Sequence, residues 1–316
     1  MIDFLLLICG LAGLWLGSET LIRGAMSIAD RYRLSDALFG MLVLAIGTDL
    51  PELFVAFDAS IRSIAGEDLS GIVIGSAIGS TIGQFALVFG VAGFMGFPPM
   101  QRKFLPRNAI FLVGGAVAVL VLSLDGVISR GEGLLLTIYY AAYLMVLIFR
   151  RVELPDGPDS STDIEVWKAW LILFVGLGLL LVAAELTVRS ATSFAAEMGM
   201  SNIAVSAIII GMGSSLPELS VSFVALLRKR SGLSVGNLVG SNILDTLLVP
   251  GLAAMISPLT VPVAVLWLDL PVLLLTTILV LGFLYVSRRG IRTVEAVVLL
   301  SIYFAYAAMR LVGPGS

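Results

Sequence analysis

Ten stretches of this 316-residue chain are apolar over a length that can cross a bilayer: 3–26, 35–61, 71–96, 106–124, 132–149, 167–195, 201–227, 234–256, 261–286 and 292–312. A spanning helix needs about 20 such residues. In hydrocarbon each backbone N–H and C=O must be satisfied within the structure, so stretches of this length become helices. The sequence therefore predicts an all-α polytopic membrane protein with ten transmembrane helices. Composition agrees, since only 13% of the residues are charged against about 25% in soluble domains. The opening MIDFLLL carries Asp3 in place of a basic leader, and it reads as the first span, retained.

The basic residues are unevenly divided among the connecting loops. One side of the membrane receives Arg31, Arg33, Arg102, Lys103, Arg107, Arg150, Arg151, Lys168, Arg228, Lys229, Arg230, Arg288, Arg289 and Arg292, and the other only Arg62, Arg130 and Arg310. The basic side is expected to be cytoplasmic. Both termini then lie outside, and the loop between the fifth and sixth spans lies inside. There is no basic patch interleaved with aromatics of the nucleic-acid-binding kind, and no obligatory protein partner is implied.

The chain repeats itself. Glu19, Arg23, Ser27, Ser35, Gly47, Leu50, Pro51, Glu52 and Leu53 align with Glu185, Arg189, Ser193, Ser201, Gly213, Leu216, Pro217, Glu218 and Leu219 at an offset of 166. Further on, Gly75, Gly79, Ser80 and Gly90 align with Gly236, Gly240, Ser241 and Gly251 at an offset of 161. Each half, 1–150 and 166–316, holds five spans, and residues 151–165 form a short acidic cytoplasmic linker. Five is odd, so the halves have opposite topology, an inverted repeat of the kind that builds secondary transporters.

Within the repeat, the second and seventh spans carry AIGTDLPEL (45–53) and GMGSSLPEL (211–219). Proline lacks an N–H and clashes with the carbonyl four residues back, so Pro51 frees the carbonyl of Gly47 and Pro217 that of Gly213. Two broken helices are expected. A proline kink alone does not require a glutamate beside it twice, and an acid at the centre of a span costs about 2.5–3.5 kcal/mol on insertion scales. Glu52 and Glu218 therefore read as ligands of a cation, with the hydroxyls of Thr48, Ser214 and Ser215 and the freed carbonyls beside them. The chain has no histidine and a single cysteine, Cys9. Zinc and copper sites want imidazole or thiolate, whereas oxygen donors suit calcium and sodium. In the third and eighth spans Ser80 precedes Gln84, and Ser241 precedes Asp245, by four residues, which puts each pair on one helix face. Thr81 and Asn242 follow as packing or supporting groups. Gly71, Gly75, Gly79 and Gly83 recur every four residues and read as a close-packing stripe that lets the third span approach the second. Glu19 with Arg23, and Glu185 with Arg189, read as pairs that neutralise each other within a helix.

The paired GTDLPEL and GSSLPEL, each followed by G-x-x-x-G-S, resemble the two α-repeats of the prokaryotic-type sodium/calcium exchangers in the cation/calcium antiporter superfamily. The motifs cover about 41–91 and 207–252. The resemblance implies a central site built from the second, third, seventh and eighth spans, through which Na+ flows in and Ca2+ is driven out by alternating access. It implies Glu52, Glu218, Thr48, Asp49, Ser214, Ser215, Ser80, Gln84, Ser241 and Asp245 as site residues, with backbone carbonyls near Ala45 and Gly211. No enzymatic activity and no cofactor is implied, only the transported ions Ca2+ and Na+, with H+ a possible third, in an integral protein of a prokaryotic plasma membrane. Two positions depart from the family pattern. Gln84 stands where asparagine is usual, and Asp49 where serine is usual. Asp49 brings four carboxylates, Asp49, Glu52, Glu218 and Asp245, to one expected site. Four ionised carboxylates in low dielectric repel, so at least one is expected to hold a proton when no cation is bound. Asp49 thus predicts a proton-coupled step or an altered sodium stoichiometry. The contrary reading has it protonated and bonded to a freed backbone group or to Gln84.

Three rival functions are open at this point. A Ca2+/H+ antiporter of the same superfamily shares the glutamates, but its usual asparagine-containing GN-A-x-E core is missing. An intramembrane aspartyl protease would use Asp49 and Asp245, yet neither of its YD and GxGD strings occurs. An ion channel would give steady currents in place of saturable counter-transport.

Overall fold

The computed structural model describes residues 2–94, 104–149, 164–197, 213, 215–286 and 290–312. Eleven helices run in chain order through them: α1 Ile2–Tyr32, α2 Asp36–Thr48, α3 Leu50–Ile64, α4 Ser70–Phe94, α5 Phe104–Leu122, α6 Arg130–Phe149, α7 Val166–Glu197, α8 Leu216–Leu227, α9 Ser231–Ile256, α10 Val265–Val286 and α11 Thr293–Val312. Two short strands, β1 Val127–Ile128 and β2 Leu259–Thr260, pair antiparallel. Among the described residues seven helices are long and apolar enough to cross a membrane, and α2 with α3 forms an eighth, bent span. The fourth and seventh expected spans contain shorter apolar helices, Pro106–Leu122 and Leu216–Leu227. Each of the ten expected segments therefore holds apolar helix, although length and composition alone certify fewer than ten crossings.

The described residues form two compact units, each drawing on both halves of the sequence. The first comprises those in Met1–Thr48, Glu153–Leu238 and Phe304–Ser316. Its frame is α1 against α7. A Cβ at Gly17 would meet the Leu180 backbone nitrogen at 2.7 Å, and one at Gly24 that of Leu173 at 2.6 Å. Partner numbers fall as the α1 numbers rise, so the two long helices run antiparallel with their backbones in near contact. Glycine is what permits this approach. Leu14, Leu21, Ile22 and Ile28 of α1, Leu173 and Leu180 of α7, and Val221 and Val224 of α8 share one apolar core. Ser35 caps α2, its hydroxyl accepting from the Leu38 N–H at 3.3 Å. The helix then lies against the first turns of α9. A Cβ at Gly40 would stand 2.6 Å from the Leu233 carbonyl oxygen, and one at Gly232 2.7 Å from the Asp36 Cβ.

Ion pairs hold the ends of these helices. Arg23 pairs with Glu19 at 3.7 Å, and Arg189 with Glu185, as the spacing predicts. Glu19 also accepts from Arg228 at the end of α8, a partner 209 residues away. Arg230 is 1% exposed and bridges Asp30 at 2.6 Å and Asp36 at 3.3 Å.

The second unit comprises the described residues of Asp49–Val152 and Val239–Tyr303. Gly133 and Gly251 bring α6 and α9 together, since a Cβ at Gly133 would lie 2.7 Å from the Gly251 carbonyl oxygen. Phe111 of α5 packs on Tyr139 and Tyr143 of α6, and the Tyr139 hydroxyl donates to the Ile110 carbonyl at 2.8 Å. Gly93 of α4 meets α11, a Cβ there falling 2.8 Å from that of Ala296. The β1–β2 pair, Val127 opposite Thr260 and Ile128 opposite Leu259, ties the α5–α6 connection to the α9–α10 connection. Gly126, at φ +87°, turns the chain into β1, and its carbonyl accepts from the Val261 N–H at 2.8 Å.

Candidate cation site

From Asp49 and from Ser215 onward, the two proline motifs adopt matching backbone conformations. Asp49 sits between α2 and α3 at φ −86°, ψ 3°, and Ser215 precedes α8 at φ −91°, ψ 3°. Both lie in the sparsely populated bridge region where many active-site residues are found. Each helix restarts at the next residue with proline second, where its missing N–H breaks no intrahelical bond. Glu52 and Glu218 follow in the first turn, beside the partial positive charge of a helix N-terminus. The first turns close alike, Leu53 N–H to the Asp49 carbonyl at 3.1 Å and Leu219 N–H to the Ser215 carbonyl at 3.0 Å. Neither cap side chain bonds its own helix. The expected break in the second span is present, with α2 and α3 bent by 46° at Asp49, and α8 of the seventh span begins at the equivalent place.

In the first unit Ala45, Thr48, Ser215 and Glu218 are all buried, Glu218 completely. The Thr48 hydroxyl has three acceptors in reach: the carbonyls of Leu44 at 3.1 Å and Ala45 at 3.3 Å, and Asn237 Oδ1 of α9 at 3.4 Å. Ala45 ends a π-helical turn over Gly40–Leu44, its N–H reaching back to the Gly40 carbonyl. Ser214 and Gly211 lie outside the described residues.

In the second unit Gln84 is a hub. Its Nε2 donates to Ser80 Oγ at 3.2 Å and to Asp245 Oδ2 at 3.3 Å, and its Oε1 accepts from Asn242 Nδ2 at 2.9 Å. The expected i,i+4 face is present in Ser80 and Gln84, and the amide joins it to Asp245 on α9. Gln84, Ser241, Asn242 and Asp245 are fully buried, as is Asp49, while Glu52 is 7% exposed. Gln84 and Asp245 each occupy the second position of a π-helical segment, Gly83–Val88 in α4 and Leu244–Leu248 in α9. Such bulges concentrate at functional sites. They occupy equivalent places in the two repeats at the offset of 161. The buried phenol of Tyr140 on α6 lies within electrostatic range of Asp49 and Asp245.

Three features differ from expectation or were missed. The glycine stripe of α4 is not a uniform contact. A Cβ at Gly75 or Gly79 meets nothing within 4 Å among the described residues, and at Gly71 only Pro262 at 3.3 Å. The jammed glycines are their counterparts on α9, where a Cβ at Gly236 would stand 3.0 Å from the Ala37 carbonyl carbon and closer still to its oxygen. Asn237 was not singled out from the sequence, although an amide in a run of small and apolar residues of a span is the signal that could have found it. Finally, among the described residues no three acidic side chains gather as a metal-holding group, so hydroxyls, amides and carbonyls must share in any coordination. A cavity of about 290 Å³ lies between α3 and α9, but its lining is apolar, with Leu50, Leu53, Phe54, Phe57 and Leu252, and offers an ion no donors.

Comparison with known proteins points one way. The family model described as sodium/calcium exchanger protein matches residues 2–149 and 168–312. The chain is 27% identical to the sodium/calcium exchanger MaX1 of Methanosarcina acetivorans, over 96% of this chain and 97% of that protein. It is 29% identical to the inner membrane protein YrbG of Escherichia coli, over 80% and 79%. Among solved structures, the sodium-calcium exchanger NCX_Mj soaked with zero Na+ and Ca2+ superposes with a TM-score of 0.83 at 27% identity, covering 98% of this chain and 99% of that one.

Proposed function

The chain belongs to the sodium/calcium exchanger family, and we propose that it exchanges Ca2+ for Na+ across the membrane by alternating access, with Glu52 and Glu218 as the principal charges of the ion site. The observation that carries this reading is the matched pair of helix starts after Asp49 and Ser215, each residue followed three positions later by a buried glutamate. Unwound carbonyls and half-helix ends of this kind are where coupling ions bind in inverted-repeat transporters.

Calcium takes about six to eight oxygen ligands. Divided between neighbouring ion positions, so that no one ion takes all three carboxylates, the proposed set is the carboxylates of Glu52, Glu218 and Asp245, the hydroxyls of Thr48, Ser80, Ser214, Ser215 and Ser241, the amide of Gln84, and the carbonyls of Ala45 and Gly211. Sodium draws on the same donors. Shared ligands make the two ions compete, and competition is half of exchange. The other half is the cost of an empty carrier. Buried carboxylates with no cation carry a desolvation penalty, so the protein changes its access state readily only when loaded. This is transport without covalent chemistry.

The sodium/calcium relatives favour sodium over protons as the counter-ion, and Asp49 is the residue through which a proton could still enter the cycle. The proposed location is a prokaryotic plasma membrane, and the loop charges support an orientation with both termini outside and the 151–165 linker inside. The test is sodium-gradient-driven uptake of radiolabelled calcium into proteoliposomes by Glu52→Gln and Glu218→Gln. Each is expected to lose at least 100-fold in rate, on the order of removing a principal charge from a buried site. Intact transport by either variant overturns the assignment of that glutamate.

A further inference from the structure

Asn237 belongs to no part of the ligand set above, yet it is fully buried, and its Oδ1 lies 3.4 Å from the Thr48 hydroxyl. We propose that Asn237 is a positioning residue that takes the Thr48 hydroxyl hydrogen when a cation takes the Thr48 oxygen and the Ala45 carbonyl. The proposal rests on the reading that Thr48 and Ala45 face the transported ion.

The argument is one of hydrogen accounting. A threonine hydroxyl has one hydrogen and two lone pairs. Thr48 has three acceptors for that hydrogen, and two of them, Leu44 O at 3.1 Å and Ala45 O at 3.3 Å, are carbonyls of its own helix. Bonding back to such carbonyls is the ordinary habit of a helical threonine. A cation is bound through an oxygen lone pair, so the hydroxyl hydrogen must point elsewhere. If it stays on the Ala45 carbonyl, it occupies an oxygen the ion needs. Asn237 Oδ1 is the acceptor contributed from another helix, and a hydrogen turned toward it leaves the Ala45 carbonyl to the ion.

The packing holds Asn237 in this place. A Cβ on Gly40 would come within 2.8 Å of the Asn237 backbone nitrogen, and Gly236, the preceding residue, is pressed against Ala37. Two glycines thus fix the α2–α9 approach at the level of the Thr48 contact. Asn237 Nδ2 has no hydrogen-bond partner among the described residues. A buried donor left unmade costs about 1–3 kcal/mol, which an apolar side chain of the same size would avoid. The device is confined to one repeat, because the residue equivalent to Asn237 at the offset of 161 is Ser76, whose hydroxyl donates to its own helix at the Val73 carbonyl, 3.1 Å away.

The test is sodium-driven calcium uptake across a calcium titration by Asn237→Leu, Asn237→Asp, Thr48→Val and the double variant Thr48→Val/Asn237→Leu, with Glu52→Gln alongside. Asn237→Leu removes the acceptor at nearly constant volume and should raise the calcium concentration at half-maximal rate by about threefold to tenfold, the value of one hydrogen bond. Asn237→Asp keeps the acceptor and should stay within about twofold of wild type. In the Thr48→Val background Asn237→Leu should have no further effect. An unchanged half-saturation for Asn237→Leu, or effects of the two substitutions that multiply, overturns the proposal. If Asn237→Leu does not fold, the Asp variant carries the test, and a loss of calcium affinity there equal to that of Thr48→Val overturns it equally. If Glu52→Gln still transports, the site reading itself has failed. If it is dead while Asn237→Leu behaves as wild type, only this inference has.

Discussion

Alanine at Gly236 of α9 should be costly. A Cβ there would stand 3.0 Å from the carbonyl carbon and Cα of Ala37 and nearer still to the carbonyl oxygen. Relieving that overlap to an ordinary C···O separation of about 3.3 Å requires α2 and α9 to part by about 1 Å. The strain is of the overpacking kind, about 1–3 kcal/mol. The Thr48–Asn237 contact, already 3.4 Å, would not survive such a shift. A displacement of about 1 Å at a positioned group can cost about 100-fold in rate. Thermal unfolding in detergent and sodium-driven calcium uptake check the variant. Gly236→Ala should melt lower and lose calcium affinity by about tenfold or more. Wild-type melting and normal transport by Gly236→Ala would refute the packing argument.

Two further perturbations bear on other parts of the fold and the site. Arg230→Met strips a 1%-exposed cation from Asp30 and Asp36, and leaving a buried acid uncompensated should cost about 3–5 kcal/mol of stability. The triple variant Arg230→Met/Asp30→Asn/Asp36→Asn should recover most of it in the same melting assay, and no recovery would mean that packing rather than charge sets the loss. Asp49→Ser restores the residue usual in the family and should reduce the pH dependence of exchange or change the number of sodium ions moved per calcium. Flux-ratio measurements between pH 6 and pH 8, the range in which a buried carboxylate can be brought to titrate, that match wild type would leave Asp49 a structural acid.

The parts of this protein that were legible in its sequence are those where one residue type has one physical consequence. Proline at 51 and 217 stands second in a new helix, where its missing N–H costs no bond, and glutamate at 52 and 218 is too costly in a bilayer to be incidental. The i,i+4 spacing of Ser80 and Gln84 placed them on one face, and the bond between them followed. What could not be read depends on surroundings. Glycines at spacing four say that a backbone can approach, not which one does, and the close approach of α2 to Gly232 and Gly236 of α9 left no such signal. The π segments at Gln84 and Asp245 leave no mark in a 3.6-residue pattern, because one extra residue in a turn shifts the face by less than the width of the apolar surface. Asn237 could not be read because its contact, accepting from Thr48, joins residues far apart in the chain.

The central claim is that sodium is the ion exchanged for calcium. It is tested most directly in proteoliposomes holding sodium inside and calcium outside, with pH equal on both sides and a protonophore present. Calcium uptake should be saturable, should stop when internal sodium is replaced by an impermeant cation, and should persist with the protonophore. Uptake that ignores the sodium gradient and follows only an imposed pH gradient would contradict it.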